Sequence, residues 1–233
     1  MSSWNTDERT SLRASARRFT ETEIVPHLAA WEEAGAVPRE LHRAAAAADL
    51  LGVGFPEWAG GSGGSPVDAL VIAEEIIVSG GSSGLVAALF THGIGLPHLV
   101  EARDPALIEK VARPVLAGEK IVSLAVTEPD AGSDVAHLRT RAVRDGDEYV
   151  VSGGKLYITS ATRADFFTVA VRTGGDGARG ISLLLLERDM PGVSVSAPLK
   201  KMGWLCSDTA ELRFDDVRVP VANLIGEENG GFY

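Results

Sequence analysis

The chain has 233 residues, of which 45% are hydrophobic and 23% are charged, a composition typical of a globular protein with one large domain or two small ones. Lysines and arginines number 22 against 32 aspartates and glutamates, which gives a formal net charge of −10. Because the basic residues are scattered among acidic ones, this pattern argues against a nucleic-acid partner. The single cysteine, Cys206, can form no internal disulfide, which fits a reducing compartment.

The first eight residues have neither the basic-then-apolar order of a signal peptide nor the arginine-rich character of a transit peptide. We therefore expect a cytoplasmic protein. The apolar runs at residues 84–90 and 183–186 are much shorter than the ~18 residues that a membrane-spanning helix needs. The sequence thus predicts no integral membrane association.

Apolar residues recur at helical spacing up to about residue 118, which predicts an N-terminal all-α helical bundle. One helix is expected to begin at Pro66, because Ser65 and Asp68 form a variant capping box. Another is expected at Pro105, which follows Asp104 and needs no N–H in a first helical turn. Between residues 52 and 64 there are six glycines, which predict an ordered loop.

After Glu119 the pattern changes to short runs rich in β-branched and aromatic residues. Asp145–Asp147 should close a hairpin, and residues 174–180 are expected to form a mobile connection. These features predict a β-sandwich or open barrel over residues 119–233, preceded by the helical domain over residues 1–118. The overall fold class is therefore α+β. The predicted strands are Ile121–Val126, Tyr149–Val151, Phe166–Val171, Ile181–Leu186 and Leu212–Val219.

The segment Leu124–Asp134 reads Leu-Ala-Val-Thr-Glu-Pro-Asp-Ala-Gly-Ser-Asp, in which a strand runs into a turn broken by proline and glycine. Backbone N–H groups outside a strand ladder, beside Thr127 and Ser133, can bind an anion or the polar edge of a ring such as a flavin. An ordinary hydrophilic turn capped by Asp134 is the alternative that the bare residues leave open.

This string resembles the first signature of the acyl-CoA dehydrogenases, in which Thr-Glu-Pro is followed by Gly-Ser-Asp. The resemblance implies that Leu124–Ser133 lines the flavin of FAD, with Val126 and Thr127 at the pyrimidine edge. It places Ser133 near the cofactor or the acyl-CoA substrate. His137 departs from the pattern, which favours a small residue there. The residues assigned to FAD in this segment are Leu124, Val126, Thr127, Gly132 and Ser133.

A second segment, Gly153–Ser160, is similar to the family's Gly-x-Lys-x-Trp/Tyr-Ile-Thr stretch. The side chain of Tyr157 can pack on the dimethylbenzene end of a flavin, and the hydroxyl of Thr159 can bond the N5 edge. Ile158 lies between them and is assigned to the same site. Taken alone, these residues would be a core aromatic and a surface threonine of a strand.

The third stretch, Lys200–Leu212, and the Val-Arg-Val-Pro at residues 217–220 are similar to the end of the family's middle domain. No ligand contact is assigned there, and Trp204 is expected to be a core residue. The resemblance extends from near residue 6 to Tyr233. Family members continue for about 150 more residues as a helical domain that holds the catalytic base, so we assign no catalytic residue in this chain.

The resemblance implies an FAD-dependent oxidoreductase of fatty-acid and lipid metabolism that converts an acyl-CoA thioester to trans-2-enoyl-CoA. It also implies an electron-transferring flavoprotein as acceptor and a homo- or hetero-oligomer. Two alternatives stay open. One is a related flavin enzyme such as an acyl-CoA oxidase, nitroalkane oxidase or flavin-dependent hydroxylase. The other is a non-catalytic or partner-dependent subunit of a two-chain enzyme, motivated by the missing base.

Two further groups of charged residues are candidates for a catalytic pair or a metal site. Glu74 and Glu75 are adjacent on a predicted helix and point about 100° apart, so they cannot flank one substrate atom. They are expected to be one surface and one interhelix residue. His92 and His98 lack a third ligand at useful spacing, so no metal site is predicted.

Overall fold

The computed structural model describes residues 6–232. These residues form two compact units. The helical unit comprises the described residues up to Phe90 together with Ala112–Lys120 and Lys201–Ser207, and the β unit comprises Thr91–Val111, Ile121–Lys200 and the residues from Asp208 onward. The predicted α+β fold class is confirmed. The boundary predicted between residues 118 and 119 stays a prediction.

Most of the helices are short, and two stretches, Thr20–Ile24 and Ile108–Ala112, are wound as π-helical turns. In chain order the α-helices of the described residues are α1 (Asp7–Phe19), α2 (Leu28–Ala34), α3 (Arg39–Ala47), α4 (Pro66–Val78), α5 (Ser83–Leu89), α6 (His92–Gly95), α7 (Pro97–Ala102), α8 (Pro105–Leu107) and α9 (Arg113–Leu116). Helices α1–α5 and α9 belong to the helical unit, whereas α6–α8 belong to the β unit.

The predicted helix starts are confirmed at α4 and α8. At α4 the Asp68 carboxylate accepts hydrogen bonds from the N–H and the hydroxyl of Ser65, at 2.8 and 2.6 Å. At α8 the Asp104 carboxylate accepts from the N–H groups of the first turn, at 2.8 and 3.2 Å. Each carboxylate meets main-chain donors that have no partner inside the helix.

The core of the helical unit is made by apolar side chains at helical spacing on several of its helices, among them Ala16, Phe19, Leu41, Ala45, Ile72, Ile76, Leu85 and Leu89. The glycine-rich segment is an ordered loop, closed by backbone bonds such as Gly54 N–H to Gly63 O at 2.8 Å. At Gly61 any side chain would meet Phe55, since a Cβ would lie 2.2 Å from the Phe55 carbonyl oxygen.

The strands of the β unit form one mixed eight-stranded sheet. Seven strands follow the order β6-β7-β3-β2-β4-β5-β8, and β1 pairs in parallel with β4 off this path. The predicted hairpin at Asp145–Asp147 joins β2 to β3. The strands are β1 (Val122–Ala125), β2 (Arg141–Asp145), β3 (Glu148–Thr159), β4 (Phe166–Arg172), β5 (Ile181–Glu187), β6 (Val193–Val195), β7 (Thr209–Pro220) and β8 (Leu224–Ile225).

One apolar core supports this sheet. Its members come from β1, β2, β3, β4, β5 and β7 and from the adjoining loops, and they include Tyr149, Val151, Phe167, Val169, Leu184, Leu186, Leu212 and Phe214. Helix α6 packs against β1, where Gly95 lies so close to Val122 and Ser123 that a Cβ would come within 3.2 Å of their backbone. Thr168 on β4 donates its hydroxyl to Gly95 O at 2.7 Å.

The loop between β4 and β5 is held by the last residue of β4. The Arg172 guanidinium donates to the carbonyl oxygens of Gly175 and Gly177, and also to Ala136 O at 2.7 Å and Leu138 O at 2.9 Å. The segment expected to be a mobile connection is therefore bound at several points, and it contains a 3₁₀ turn at Ala178–Gly180. Among residues 6–232 no single helix is long and apolar enough to cross a membrane, and the consecutive helices within Ser83–Leu89 and His92–Ala102 reach that level only together.

Candidate functional site

The structure brings the first two predicted segments side by side in the β unit. The N–H of Leu156 donates to Thr127 O at 2.8 Å. The hydroxyl of Ser123, at the start of the first segment, donates to Thr159 O at 2.7 Å. Residues about 30 positions apart in the sequence thus line one edge of the sheet, as a shared site requires.

The first segment leaves strand β1 at Ala125 and forms a turn that is exposed to solvent. Glu128 and Ala131 pair with each other through two backbone hydrogen bonds, at 2.9 and 3.2 Å. Beyond them Gly132 and Ser133 are exposed, and Val126 and Thr127 are half-buried. In the part of the chain that the structure describes, the N–H groups of Thr127, Gly132 and Ser133 donate to no protein acceptor. The turn therefore presents spare donors at its surface.

Tyr157 is turned outward by a bulge in β3. The pairing with β7 slips between Lys155 and Ile158, so that one extra residue is inserted in β3. Tyr157 takes a left-handed conformation with φ +59° and is 65% exposed. A bulky side chain in this region costs of order 1–2 kcal/mol. The alternative in which Tyr157 is a core aromatic is therefore wrong. The backbone strain at Tyr157 lies beside the exposed turn.

The two residues after Tyr157 differ in what they can offer to a ligand. The side chain of Ile158 is 2% exposed and packs in the core of the β unit, so only its main chain can face a ligand. Thr159 is half-buried, and Leu124 on β1 is half-buried as well. Beyond the bulge, strand alternation places Ile158 inward and Thr159 outward.

The end of the second segment is fixed by Asp208, which is buried. Its carboxylate accepts from Arg163 Nε at 2.7 Å and from Thr162 N at 2.9 Å. Its carbonyl oxygen accepts from Ser160 N at 2.8 Å, where Ser160 is left-handed with φ +61°. Asp208 is not among the predicted site residues, because the sequence Ser-Asp-Thr gives no indication of its partners.

A buried ion pair joins the two segments beneath the turn. The Lys155 side chain is 0% exposed and the Glu128 side chain 5%, and Lys155 Nζ lies 2.7 Å from Glu128 Oε1. Lys155 also donates to Val126 O at 2.9 Å. Glu128 accepts from the N–H groups of Arg139 and Thr140, at 2.6 and 2.9 Å. We call these two side chains and their four hydrogen bonds the Glu128–Lys155 hub.

Burial is the largest single influence on the pKa of both residues, but only for Lys155 does it decide the direction of the shift. It lowers the pKa of Lys155 to about 8, against the hydrogen bond and the attraction of Glu128. Burial alone would raise the pKa of Glu128, but the hydrogen bonds from Lys155, Thr140 and Arg139 outweigh it and hold that pKa below its ordinary value. The pair is therefore charged near neutral pH. Sequence reasoning assigned neither residue to the site, although both lie inside the two segments.

Two family models match the chain, and both describe acyl-CoA dehydrogenases. The N-terminal domain model matches residues 6–119 and the middle domain model matches residues 123–217, so together they cover most of the chain. The chain belongs to the acyl-CoA dehydrogenase family.

Individual members of the family agree in sequence and in fold. The mitochondrial long-chain specific acyl-CoA dehydrogenase of Sus scrofa is 38% identical over 229 residues, which are 97% of this chain and 53% of that protein. A probable acyl-CoA dehydrogenase of Mycobacterium abscessus is 60% identical with a TM-score of 0.97, over 99% of this chain and 61% of that one. An acyl-CoA dehydrogenase of Bacillus anthracis complexed with FAD is 31% identical with a TM-score of 0.86, over 97% and 38%. The chain spans about half the length of the curated relatives it matches.

The third family-like stretch is divided between the two units. In the helical unit, Trp204 is 52% exposed, so the expectation that it is a core residue is wrong. Its indole N–H donates to Ser83 Oγ at 2.9 Å, and its left-handed backbone passes close to Gly84. Cys206 is fully buried beside Glu32, which accepts from its Sγ at 3.1 Å. Burial raises the pKa of this thiol to about 12, so it is unreactive.

The departure at His137 has a local partner, since His137 Nδ1 lies 2.7 Å from the exposed Asp134 carboxylate. Within residues 6–232 no group of three or more histidines, cysteines or carboxylates is placed to hold a metal ion. On helix α4, Glu74 is the predicted surface residue and Glu75 the predicted interhelix residue. The Glu74 side chain is 56% exposed, whereas that of Glu75 is 2% exposed and is bonded to arginines of α1.

Proposed function

We propose that this chain is the flavin-binding part of an FAD-dependent acyl-CoA dehydrogenase. In the complete protein it would oxidise an acyl-CoA thioester to trans-2-enoyl-CoA and pass electrons to an electron-transferring flavoprotein. The observation that carries the proposal is the adjacency of a turn with spare N–H donors and an exposed, strained tyrosine. A homo- or hetero-oligomer stays a prediction.

The residues at this edge fit a flavin. The spare donors at Thr127, Gly132 and Ser133 suit the polar pyrimidine edge and the negative charge that a reduced ring develops there. Among residues 6–232, none apart from the chain neighbours of Gly132 has an atom within 4 Å of where a side chain would begin at that position, so the turn is open there. Exposed Tyr157 suits the apolar end of the ring system. Ser133 is also our candidate for contact with the acyl-CoA.

When bound, the flavin would supply the hydride acceptor of the reaction. The role of this chain would be to bind the flavin and to orient it. Val126 and Thr127 would face the pyrimidine edge, Thr159 would face the N5 edge, and Leu124 and Ile158 would support them from the sheet. We assign Ile158 through its main chain only, since its side chain is buried.

The carboxylates beside the turn are committed to other partners. Glu128 is held by Lys155 and two backbone N–H groups, which leaves it a poor proton acceptor. Asp130 pairs with Arg139 at 3.1 Å, and Asp134 pairs with His137. General-base catalysis needs a free acceptor within reach of the α-carbon. We therefore propose that the base comes from outside residues 6–232.

A test of this function uses the substitution Tyr157→Gly in the 233-residue chain. Glycine accepts a φ of +59°, so unfolding in urea should show a gain of about 0.5–1 kcal/mol. Loss of the ring should weaken FAD binding about tenfold, measured by quenching of flavin fluorescence. Opposite signs in the two measurements are expected of a residue that is strained for a ligand.

The matched control is Asp49→Gly in the helical unit. Asp49 is exposed and left-handed with φ +56° after helix α3, so glycine should stabilise the fold by a similar amount and leave FAD binding unchanged. Absence of FAD binding by the parent chain, or equal FAD affinity in both variants, would contradict the proposal. Rapid peroxide formation on adding acyl-CoA and oxygen would favour an oxidase instead.

A further inference from the structure

The Glu128–Lys155 hub closes the base of a loop. Residues 129–138 lie between Glu128, which follows β1, and Arg139 and Thr140, which precede β2, and the N–H groups of Arg139 and Thr140 bond the Glu128 carboxylate. The two ends of the loop therefore meet at one side chain. Ala131 and Leu138 are the buried side chains of the loop, 2% and 1% exposed.

The hub also fixes this loop to the second segment. Lys155 belongs to β3, two residues before Tyr157, and its ammonium group bonds both the carboxylate of Glu128 and the carbonyl oxygen of Val126. Val126 and Glu128 flank Thr127, whose N–H is one of the spare donors. Lys155 thus fixes the position of the turn relative to strand β3, which carries the exposed Tyr157.

Stability alone does not account for such a pair. Burying two charges costs several kcal/mol per ion, and well-packed apolar residues of similar size are often as stabilising or more so. Leu212, a member of the apolar core, lies opposite Lys155 on β7. An ion pair differs from an apolar pair in that it fixes the directions of its hydrogen bonds.

We propose that Glu128 and Lys155 are positioning residues. They hold the spare N–H donors of the turn where those donors can bond the edge of the flavin. This proposal rests on the proposed function for the identity of the ligand, but the order of the loop itself does not depend on it. The contribution of the hub would be to the geometry of binding rather than to contact with the ligand.

The test compares Lys155→Met, Glu128→Gln and the double variant in the 233-residue chain. Each single variant leaves a buried group without its partner and should be strongly destabilised. The double variant carries no buried charge and should recover most of the stability. In the double variant the lysine donor is gone, and the single accepting oxygen of glutamine replaces only one of the two carboxylate oxygens that receive the N–H groups of Arg139 and Thr140, so the end of the loop at these residues should loosen.

Two measurements on the double variant decide the matter. Amide hydrogen exchange at Glu128 and Ala131, whose N–H groups are bonded within the turn, should be at least about tenfold faster than in the parent, while strands β4 and β5 keep their protection. The dissociation constant for FAD should rise about tenfold despite the recovered stability. Glu75→Gln in the helical unit is the control, because it removes another buried carboxylate and should change neither measurement.

Recovered stability together with parental exchange at Glu128 and Ala131 would overturn the inference, since the hub would then be only structural. Parental FAD affinity in the double variant would overturn it too, while leaving the proposed function intact. If the parent chain binds no FAD, the proposed function fails, and the exchange measurement still decides whether the hub orders the turn.

Discussion

Glu75 in the helical unit and Glu128 in the β unit are both buried carboxylates that bind basic side chains, yet their surroundings differ. Glu75 accepts from Arg17 at 2.8 Å and from Arg13 at 3.4 Å, and these side chains are 58% and 26% exposed. The partner of Glu128 is Lys155, which is completely buried. One pair connects two helices at the edge of solvent, whereas the other is enclosed below a solvent-exposed turn.

The difference shows that burial of a carboxylate does not by itself reveal its role. An arginine that reaches water can stay hydrated when its partner is lost. Glu75 therefore connects α1 and α4 through contacts that can be lost at moderate cost in stability. Lys155 has no such route, and the acceptors around it are set by the two family segments. In the Glu128–Lys155 hub both partners are buried, and the turn beside them has spare N–H donors. These two features distinguish a pair that positions a binding surface from a pair that only connects two helices.

The largest expected effect is that of Glu128→Gln alone. It leaves the Lys155 ammonium buried without a counter-charge, and removal of one partner of a buried pair typically costs about 3–5 kcal/mol. The free energy of unfolding in urea should fall by that amount. A loss below about 1 kcal/mol would mean that water or a neutral lysine relieves the site, and the contrast with Glu75 would disappear.

Glu75→Gln should cost less, about 1–2 kcal/mol, because the arginines can turn to solvent and glutamine still accepts one hydrogen bond. The same urea unfolding experiment measures it, with Arg218→Ala as a control. Arg218 pairs with the solvent-exposed carboxylates of Asp145 and Glu148 on the β unit, and its replacement should leave the stability nearly unchanged. A cost for Glu75 equal to that for Glu128 would show that exposure of the partner is unimportant.

The smallest effect concerns the capping carboxylate Asp68, whose pKa is lowered to about 2 by hydrogen bonds from Ser65 and Arg9. Asp68→Ala should cost about 1 kcal/mol at pH 7. Because the folded pKa lies below the ordinary value of 3.8, this stabilisation is present above pH 3.8 and is lost as the pH falls towards 2. Thermal unfolding of parent and variant should therefore converge over that interval. A constant difference down to pH 2 would contradict it.

Several features of the fold were predictable because they depend on neighbouring residues. The starts of α4 and α8 follow from proline with a carboxylate nearby, and the hairpin at Asp145–Asp147 follows from its turn residues. Strands β6 and β8 were not predicted, because each is short and is stabilised by pairing with a longer neighbour. Pairing across a sheet is a non-local property.

The site divides in the same way. The sequence by itself determined which two segments carry the family resemblance, since composition and order within each segment are enough. Only the tertiary structure decided that Tyr157 points outward, because a bulge interrupts the alternation of β3, and that Trp204 is exposed. It also decided that Glu128 and Lys155, 27 residues apart, form one hub. Alternation and capping act over a few residues, but a buried charge finds its partner only when the sheet has brought distant strands together.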